Sequence, residues 1–116
     1  SYKADLKASS EVPPNVSKGT GAVDATYDTT SRKFSWTITY SGLTGPATAA
    51  HFHGPAAANA NAPPVVPLSG NLASPVKGDA TLTAAQATDL QAGRWYFNVH
   101  TAAHKDGEIR GQVMKK

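Results

Sequence analysis

Apolar and polar residues alternate along many short stretches of this chain, and no other feature of the sequence constrains its fold as strongly. In the clearest run, Phe34, Trp36, Ile38 and Tyr40 occupy every second position, with serine or threonine between them. Successive side chains of a β-strand point to opposite faces of a sheet, whereas a helix needs apolar residues three or four positions apart. The run therefore predicts a strand with one buried face.

Similar runs are separated by turns rich in glycine, proline and asparagine. They predict strands over residues 2–8, 19–27, 34–40, 47–53, 65–68, 76–82, 94–100 and 108–114. The segment from Thr83 to Gln86 matches the capping box of a helix start and Gly93 is a usual stop, so we predict one short helix over 84–91. Short strands at spacings of about 8–12 residues favour an all-β fold, an antiparallel Greek-key sandwich or barrel of seven or eight strands.

The composition limits the function classes. The 116 residues suit a single domain, and the absence of cysteine excludes disulfides, thiolate metal sites and cysteine nucleophiles. No apolar stretch approaches the roughly 18 residues of a membrane span. The net charge is +3, but lysine and arginine are dispersed rather than gathered in a basic stripe, which argues against nucleic-acid binding. A mild positive field of this kind still attracts small anions.

The first four residues, SYKA, show no charged segment followed by an apolar one, which is the pattern of a secretory leader. Two interpretations follow: a cytosolic protein, or a mature form whose leader has been removed. The missing initiator methionine favours the second. We therefore expect a secreted or periplasmic protein.

All four histidines fall in two short clusters, His51 with His53 and His100 with His104. His51 and His53 share one face of their predicted strand, and Phe52 points to the other face, toward the core. In the same way, His100 lies opposite the apolar face of the strand over 94–100. The pattern predicts that these histidines lie on the polar side of two strands.

If the two strands are neighbours, His51, His53 and His100 converge on one ion, and His104 supplies a fourth nitrogen. Imidazole nitrogens without sulfur suit Cu(II) or Zn(II), with copper ahead in affinity order. The alternative is that the histidines are ordinary solvated or buried polar residues. Asp106 and Glu108 are candidates to orient an imidazole, or are simply turn and strand-surface residues.

Two further groups have an ordinary and a functional interpretation. Trp36 and Trp95 lie on apolar faces, which favours a place in the core over a sugar-binding platform. Arg110 is either a surface ion-pair residue or a cation beside the metal that steers an anion.

Four segments resemble signatures of the CHRD (chordin-type) domain family: residues 11–14 (EVPP), 50–56 (AHFHGPA), 95–101 (WYFNVHT) and 107–112 (GEIRGQ). They occur in the family's order and extend over nearly the whole chain. The resemblance implies a secreted or extracytoplasmic β-sandwich module. It does not settle the function, because the family has no single defined biochemical role.

A more distant resemblance connects residues 42–44 (GLT) and the following pair His51 and His53 to Cu/Zn superoxide dismutase. It implies that His51, His53 and His100 bind copper and that Arg110 guides a small anion such as superoxide. The chain lacks that family's bridging histidine, zinc loop and cysteine pair, so the resemblance implies a site for copper alone. The sandwich is accordingly expected to be immunoglobulin-like or superoxide-dismutase-like.

Three functions remain open at this point. The leading hypothesis is an extracytoplasmic copper-binding protein, with zinc as the alternative metal. The second is a copper-dependent superoxide dismutase, for which Arg110 would be the catalytic anion guide. The third is a structural, adhesion-type module without metal. The sequence predicts neither a protein partner nor an oligomeric state.

Overall fold

The all-β prediction is confirmed by the computed structural model, which describes residues 1–68 and 70–116. It contains eight strands: β1 Tyr2–Lys7, β2 Thr20–Asp28, β3 Lys33–Ser41, β4 Ala47–His53, β5 Pro64–Pro67, β6 Val76–Thr81, β7 Trp95–Thr101 and β8 Ile109–Lys115. The first strand ends one residue earlier than predicted, because a 3₁₀ turn begins at Ala8. The other predicted strands lie within one or two residues of the observed ones.

The one α-helix of the described residues, α1 (Ala84–Gln91), has the predicted bounds. Thr83 and Gln86 form the reciprocal hydrogen bonds of a capping box, and Gly93 follows the helix with a φ of +75°. This conformation is easy for glycine and strained for other residues. No helix in the described part of the chain has the length and apolar character needed to cross a membrane.

The strands form one antiparallel sheet in the order β5-β4-β7-β8-β1-β2-β3-β6. The two end strands, β5 and β6, face each other: Val66 and Val76 line the same cavity of about 220 Å³, together with Trp36. The sheet therefore curls into a nearly closed barrel. Its interior faces form a single core, as a thin sandwich requires.

Aromatic side chains from three strands fill the centre of this core. Phe52 of β4 lies 4.7 Å from Phe97 of β7 and 5.2 Å from Phe34 of β3, measured between ring centroids. Both predictions for the tryptophans are confirmed, since Trp95 is fully buried and Trp36 nearly so. Edge-to-face and tilted aromatic contacts of this kind add about 0.5–1.5 kcal/mol each to the burial of apolar area.

The outer face of β7 differs from the expectation of a polar surface. Tyr96 and Asn98 on this face are only 2% and 3% exposed. The connection between β4 and β5, residues 54–63, passes over them, and we call this segment the strap. Its Ala62 N–H donates to the Tyr96 hydroxyl over 3.0 Å, and its Asn61 side chain donates to the carbonyl of Val12 over 3.2 Å. The polar face is thus enclosed between the sheet and the strap.

Glu108 is a buried anchor at the start of β8. Its carboxylate accepts hydrogen bonds from the Ser17 hydroxyl at 2.6 Å, from the Thr101 hydroxyl at 2.7 Å, and from both the hydroxyl and the backbone N–H of Thr44, at 2.6 and 2.9 Å. Burial raises the pKa of Glu108, but these hydrogen bonds outweigh it and lower the pKa from 4.5 to about 2. The carboxylate therefore ties together the segments that enter β2 and β4 and the end of β7.

We expect Glu108→Gln to lower the free energy of unfolding at pH 7 by about 2–4 kcal/mol, since the negative charge is lost and one of the two accepting oxygens becomes an amide NH₂ that cannot accept. The folded-state pKa lies below the unfolded value, so this stabilisation is complete above pH 4.5 and disappears as the pH falls toward about 2. Urea unfolding of both proteins across this range measures the difference, with the exposed substitution Asp79→Asn as control. A difference between the proteins that is independent of pH would contradict the assignment.

Candidate metal centre

The pairing of β4 with β7 brings three of the four histidines together. In the antiparallel register, His51 lies opposite Asn98, His53 opposite Tyr96, and His100 opposite Ala49. Phe52 is fully buried on the core side, as predicted, so the imidazoles of His51 and His53 lie on the other face of the sheet. His53 is 7% exposed, and His51 and His100 are half-buried.

The spacing of the ring nitrogens fits a single metal ion. The donor atoms of His51, His53 and His100 lie within 4.8 Å of one another, and His51 Nδ1 is 3.2 Å from His100 Nε2. Two nitrogens that both lie about 2.05 Å from one ion are about 2.9 Å apart at a right angle and about 3.3 Å apart at the tetrahedral angle. The His51–His100 pair already has this separation, and the donor atom of His53 lies within 4.8 Å of both, so its ring would move closer to share an ion.

Backbone carbonyls orient two of the rings. His100 Nδ1 lies 2.9 Å from the carbonyl oxygen of Lys105, and His53 Nδ1 lies 2.9 Å from that of Ala62 in the strap. A carbonyl accepts but does not donate, so each of these contacts favours the tautomer with the proton on Nδ1, which keeps the lone pair on Nε2. Metal-binding histidines almost always have such a second contact.

His53 Nε2 has a competing partner. It lies 2.9 Å from Asn98 Oδ1, so in the metal-free protein both ring nitrogens of His53 face an acceptor oxygen. A neutral imidazole has one N–H and satisfies only one of these oxygens. Binding of a cation at Nε2 would replace the contact with Asn98.

The environment of His51 and His53 favours the neutral form of both imidazoles. Burial lowers the pKa of His51 below 6.5, and the nearby His100 and His53 lower it further. Burial also lowers the pKa of His53, and this effect exceeds the opposing hydrogen bonds to Ala62 and Asn98. Neutral imidazole is the form that binds metal, so these shifts favour coordination at neutral pH.

A cavity of about 340 Å³ adjoins the cluster. His53, His100 and Asn98 line it, together with the strap residue Asn61 and the exposed Lys105. An ion held by three histidines would have a further coordination position, and this cavity leaves room there for a small ligand.

Not all of the residues singled out from the sequence join the cluster. Within the described residues, the group of three contains His51, His53 and His100 but not His104. His104 is half-buried on the turn after β7, where its backbone bonds to Thr101 and Gly107. Its role as a fourth ligand therefore stays a prediction.

The two nearby carboxylates lie in different environments. Asp106 is an exposed turn residue that lines the cavity. Glu108 is fully buried, so its interpretation as a strand-surface residue is wrong. Its oxygens accept from Ser17, Thr44 and Thr101, away from the histidine rings.

The interpretation of Arg110 as a surface ion-pair residue is also wrong, because the side chain is only 1% exposed. Its guanidinium carbon lies 3.5 Å from the centroid of the Tyr96 ring, and its N–H groups donate to Asn61 Oδ1 at 2.8 Å and to the carbonyl of Ala60. The charge thus lies behind Tyr96 rather than at the surface. Its role as an anion guide stays a prediction, tied to the dismutase alternative.

Sequence reasoning missed Glu11, a carboxyl that is only 4% exposed, and the supporting role of Tyr96 and Asn98. Burial raises the pKa of Glu11 to about 7, against the lowering effects of the Arg110 charge and of a hydrogen bond from Asn98. Strand alternation places Tyr96 and Asn98 on the same face as His100, so their position beside the histidines could have been predicted. No local pattern indicated that Glu11 would be buried.

Comparison with known proteins agrees with the fold and with the sequence motifs. The sequence profile of the CHRD domain matches residues 2–113, from β1 into β8, a range that includes all three clustered histidines. Comparisons with curated proteins and with solved structures gave no match. Because the profile covers nearly the whole sequence, the chain belongs to the CHRD domain family.

Proposed function

We propose that this protein is an extracytoplasmic copper-binding module whose ligands are His51, His53 and His100. The observation that carries the proposal is the fixed orientation of two of the rings. The carbonyls of Ala62 and Lys105 accept from Nδ1 of His53 and of His100 when that nitrogen carries the ring proton, and in this tautomer both Nε2 atoms can bind a cation. The donor atoms of all three rings lie within 4.8 Å of one another, which supports one shared ion.

The choice of copper follows from the donor set. Three neutral nitrogens with no thiolate suit Cu(II) and Zn(II), and the affinity order of divalent ions favours copper. Zinc remains the alternative metal, and His104 is the candidate for a fourth ligand. An extracytoplasmic location is supported by membership in the CHRD family, whose domains generally occur in secreted proteins.

A second candidate function is superoxide dismutation, favoured by the cavity beside the ring nitrogens. Two superoxide ions and two protons give dioxygen and hydrogen peroxide, and a bound copper ion would supply the exchange of one electron at a time. In that case His51, His53 and His100 would leave one coordination position open to a small anion. A filled four-histidine site would instead favour binding without catalysis.

Copper binding is tested by the histidine variants. We expect one Cu(II) ion per chain, with His51→Ala, His53→Ala and His100→Ala each weakening binding by more than about 100-fold, because even the loss of a second contact typically costs about 10–100-fold. Calorimetric titration measures the affinity, and electron spin resonance of the Cu(II) complex shows whether nitrogen ligands are lost.

Two further variants complete the experiment. Asp79→Ala removes an exposed carboxylate and is expected to leave the affinity unchanged, whereas His104→Ala separates a three-ligand from a four-ligand site. Copper affinity that is unaffected by all three cluster substitutions would exclude the site and favour the structural, adhesion-type module.

Catalysis is tested separately on the copper-loaded protein. If the dismutase alternative holds, superoxide consumption per copper ion exceeds that of free copper, and the excess disappears in His100→Ala. Stopped-flow decay of superoxide at equal copper concentration provides the measurement. Activity no higher than that of free copper would leave the binding function alone.

A further inference from the structure

We propose that Arg110 is a positioning residue of the metal centre: through the strap and through Tyr96 it sets the tautomer and the orientation of His53. The proposal rests on the metal-binding function proposed above and adds a residue that touches neither the ion nor its ligands. It also gives a role to the buried guanidinium of Arg110 beside Tyr96.

The strap has little means of folding by itself. Its ten residues are one glycine, two prolines, five alanines and two asparagines, so it has no large apolar side chain to bury. What fixes it are hydrogen bonds from the polar face of the sheet. Gln112 donates to the carbonyl of Ala56 at one end, and Arg110 donates to Ala60 and Asn61 near the other.

The Arg110 end of the strap leads directly to His53. Ala62 follows the two residues that Arg110 holds, and its carbonyl accepts from His53 Nδ1 at 2.9 Å and from the Tyr96 hydroxyl at 3.1 Å. This carbonyl favours the proton on Nδ1, the tautomer that leaves Nε2 for an ion, in competition with Asn98 Oδ1 at Nε2. A displacement of the strap at Ala60 and Asn61 would therefore change the tautomer of His53.

A second route runs through the Tyr96 ring. The imidazole of His53 stacks on Tyr96 with a centroid distance of 4.6 Å and an interplanar angle of 4°, and the Arg110 guanidinium lies 3.5 Å from the centroid of the same ring. The aromatic ring is thus held between a cation and a histidine. Without Arg110, the ring that sets the plane of His53 loses one of its two packing partners.

Stability alone does not require a charge at this position. Buried ion-containing networks can often be replaced by apolar residues of similar volume without loss of stability. The nearby carboxyl of Glu11 interacts electrostatically with Arg110, but burial raises its pKa to about 7, so it neutralises the guanidinium only in part at neutral pH. A role in positioning predicts that an apolar replacement changes His53 more than it changes folding.

The test compares Arg110→Met with Gln112→Met. Both residues lie on β8 and hold the strap, but Gln112 binds the end distant from Ala62. Nitrogen-15 NMR of the metal-free proteins measures the share of His53 protonated on Nδ1, and melting curves check folding. We expect Arg110→Met to lower this share and to weaken Cu(II) binding by about 10–100-fold with a changed Cu(II) spin-resonance spectrum, while Gln112→Met stays within about threefold.

Asn61→Ala provides a second test of the proposal if Arg110→Met fails to fold. Asn61 is exposed, and its substitution removes one hydrogen bond of Arg110 and the bond from the strap to the Val12 carbonyl, but no core side chain. We expect the same direction of change with a smaller amplitude. An unchanged His53 tautomer in both variants, together with copper affinity equal to that of Gln112→Met, would overturn the proposal.

The two proposals fail in different ways. If the unsubstituted protein takes up no copper, the metal function is refuted, and the tautomer measurement still decides whether Arg110 positions His53. If copper binds and depends on the histidines but not on Arg110, only the positioning role is refuted.

Discussion

The antiparallel pairing of β4 with β7 is the constraint on which the candidate site depends. It places Phe52 opposite Phe97 in the core and, one residue to either side, His51 opposite Asn98 and His53 opposite Tyr96 on the outer face. A register shift of one residue would turn every side chain to the other face and bury the imidazoles among aromatic rings. The aromatic core therefore fixes the histidine cluster, because the register that packs Phe52 is the one that gathers the histidines.

The outer face of β7 is buried under the strap, so the polar groups there need hydrogen-bond partners within the protein. The strap brings backbone carbonyls over the sheet, and buried carbonyls need donors. Arg110, Gln112, Tyr96 and His53 supply them. One of the hydrogen bonds that hold the strap, from His53 Nδ1 to Ala62, also orients the His53 imidazole, so the packing of the strap and the orientation of this ring have a common cause.

The local pattern of the sequence predicted much of this structure. Alternation gave β4 with its observed bounds and showed that His51, His53 and His100 avoid the apolar face, because a period of two is a property of each strand alone. The pairing of β4 with β7 and the burial of Arg110 and Glu11 are long-range consequences of the topology. An arginine on a strand is expected to be exposed unless the segment that covers it is known. The alanine-rich strap has no periodicity that would indicate where it packs.

If a cation binds at His53 Nε2, the contact of this nitrogen with Asn98 would lower the affinity without preventing binding. An intramolecular hydrogen bond is worth about 0.5–1.5 kcal/mol net, whereas structural Zn²⁺ in zinc-finger peptides binds with about 10–16 kcal/mol. Loss of the bond to Asn98 Oδ1 would therefore reduce the affinity by up to about tenfold, which is small beside a binding energy of that size. In exchange, hydrogen bonds hold the imidazole rings of the cluster in place, so an ion bound there would meet side chains that are already ordered in the folded protein.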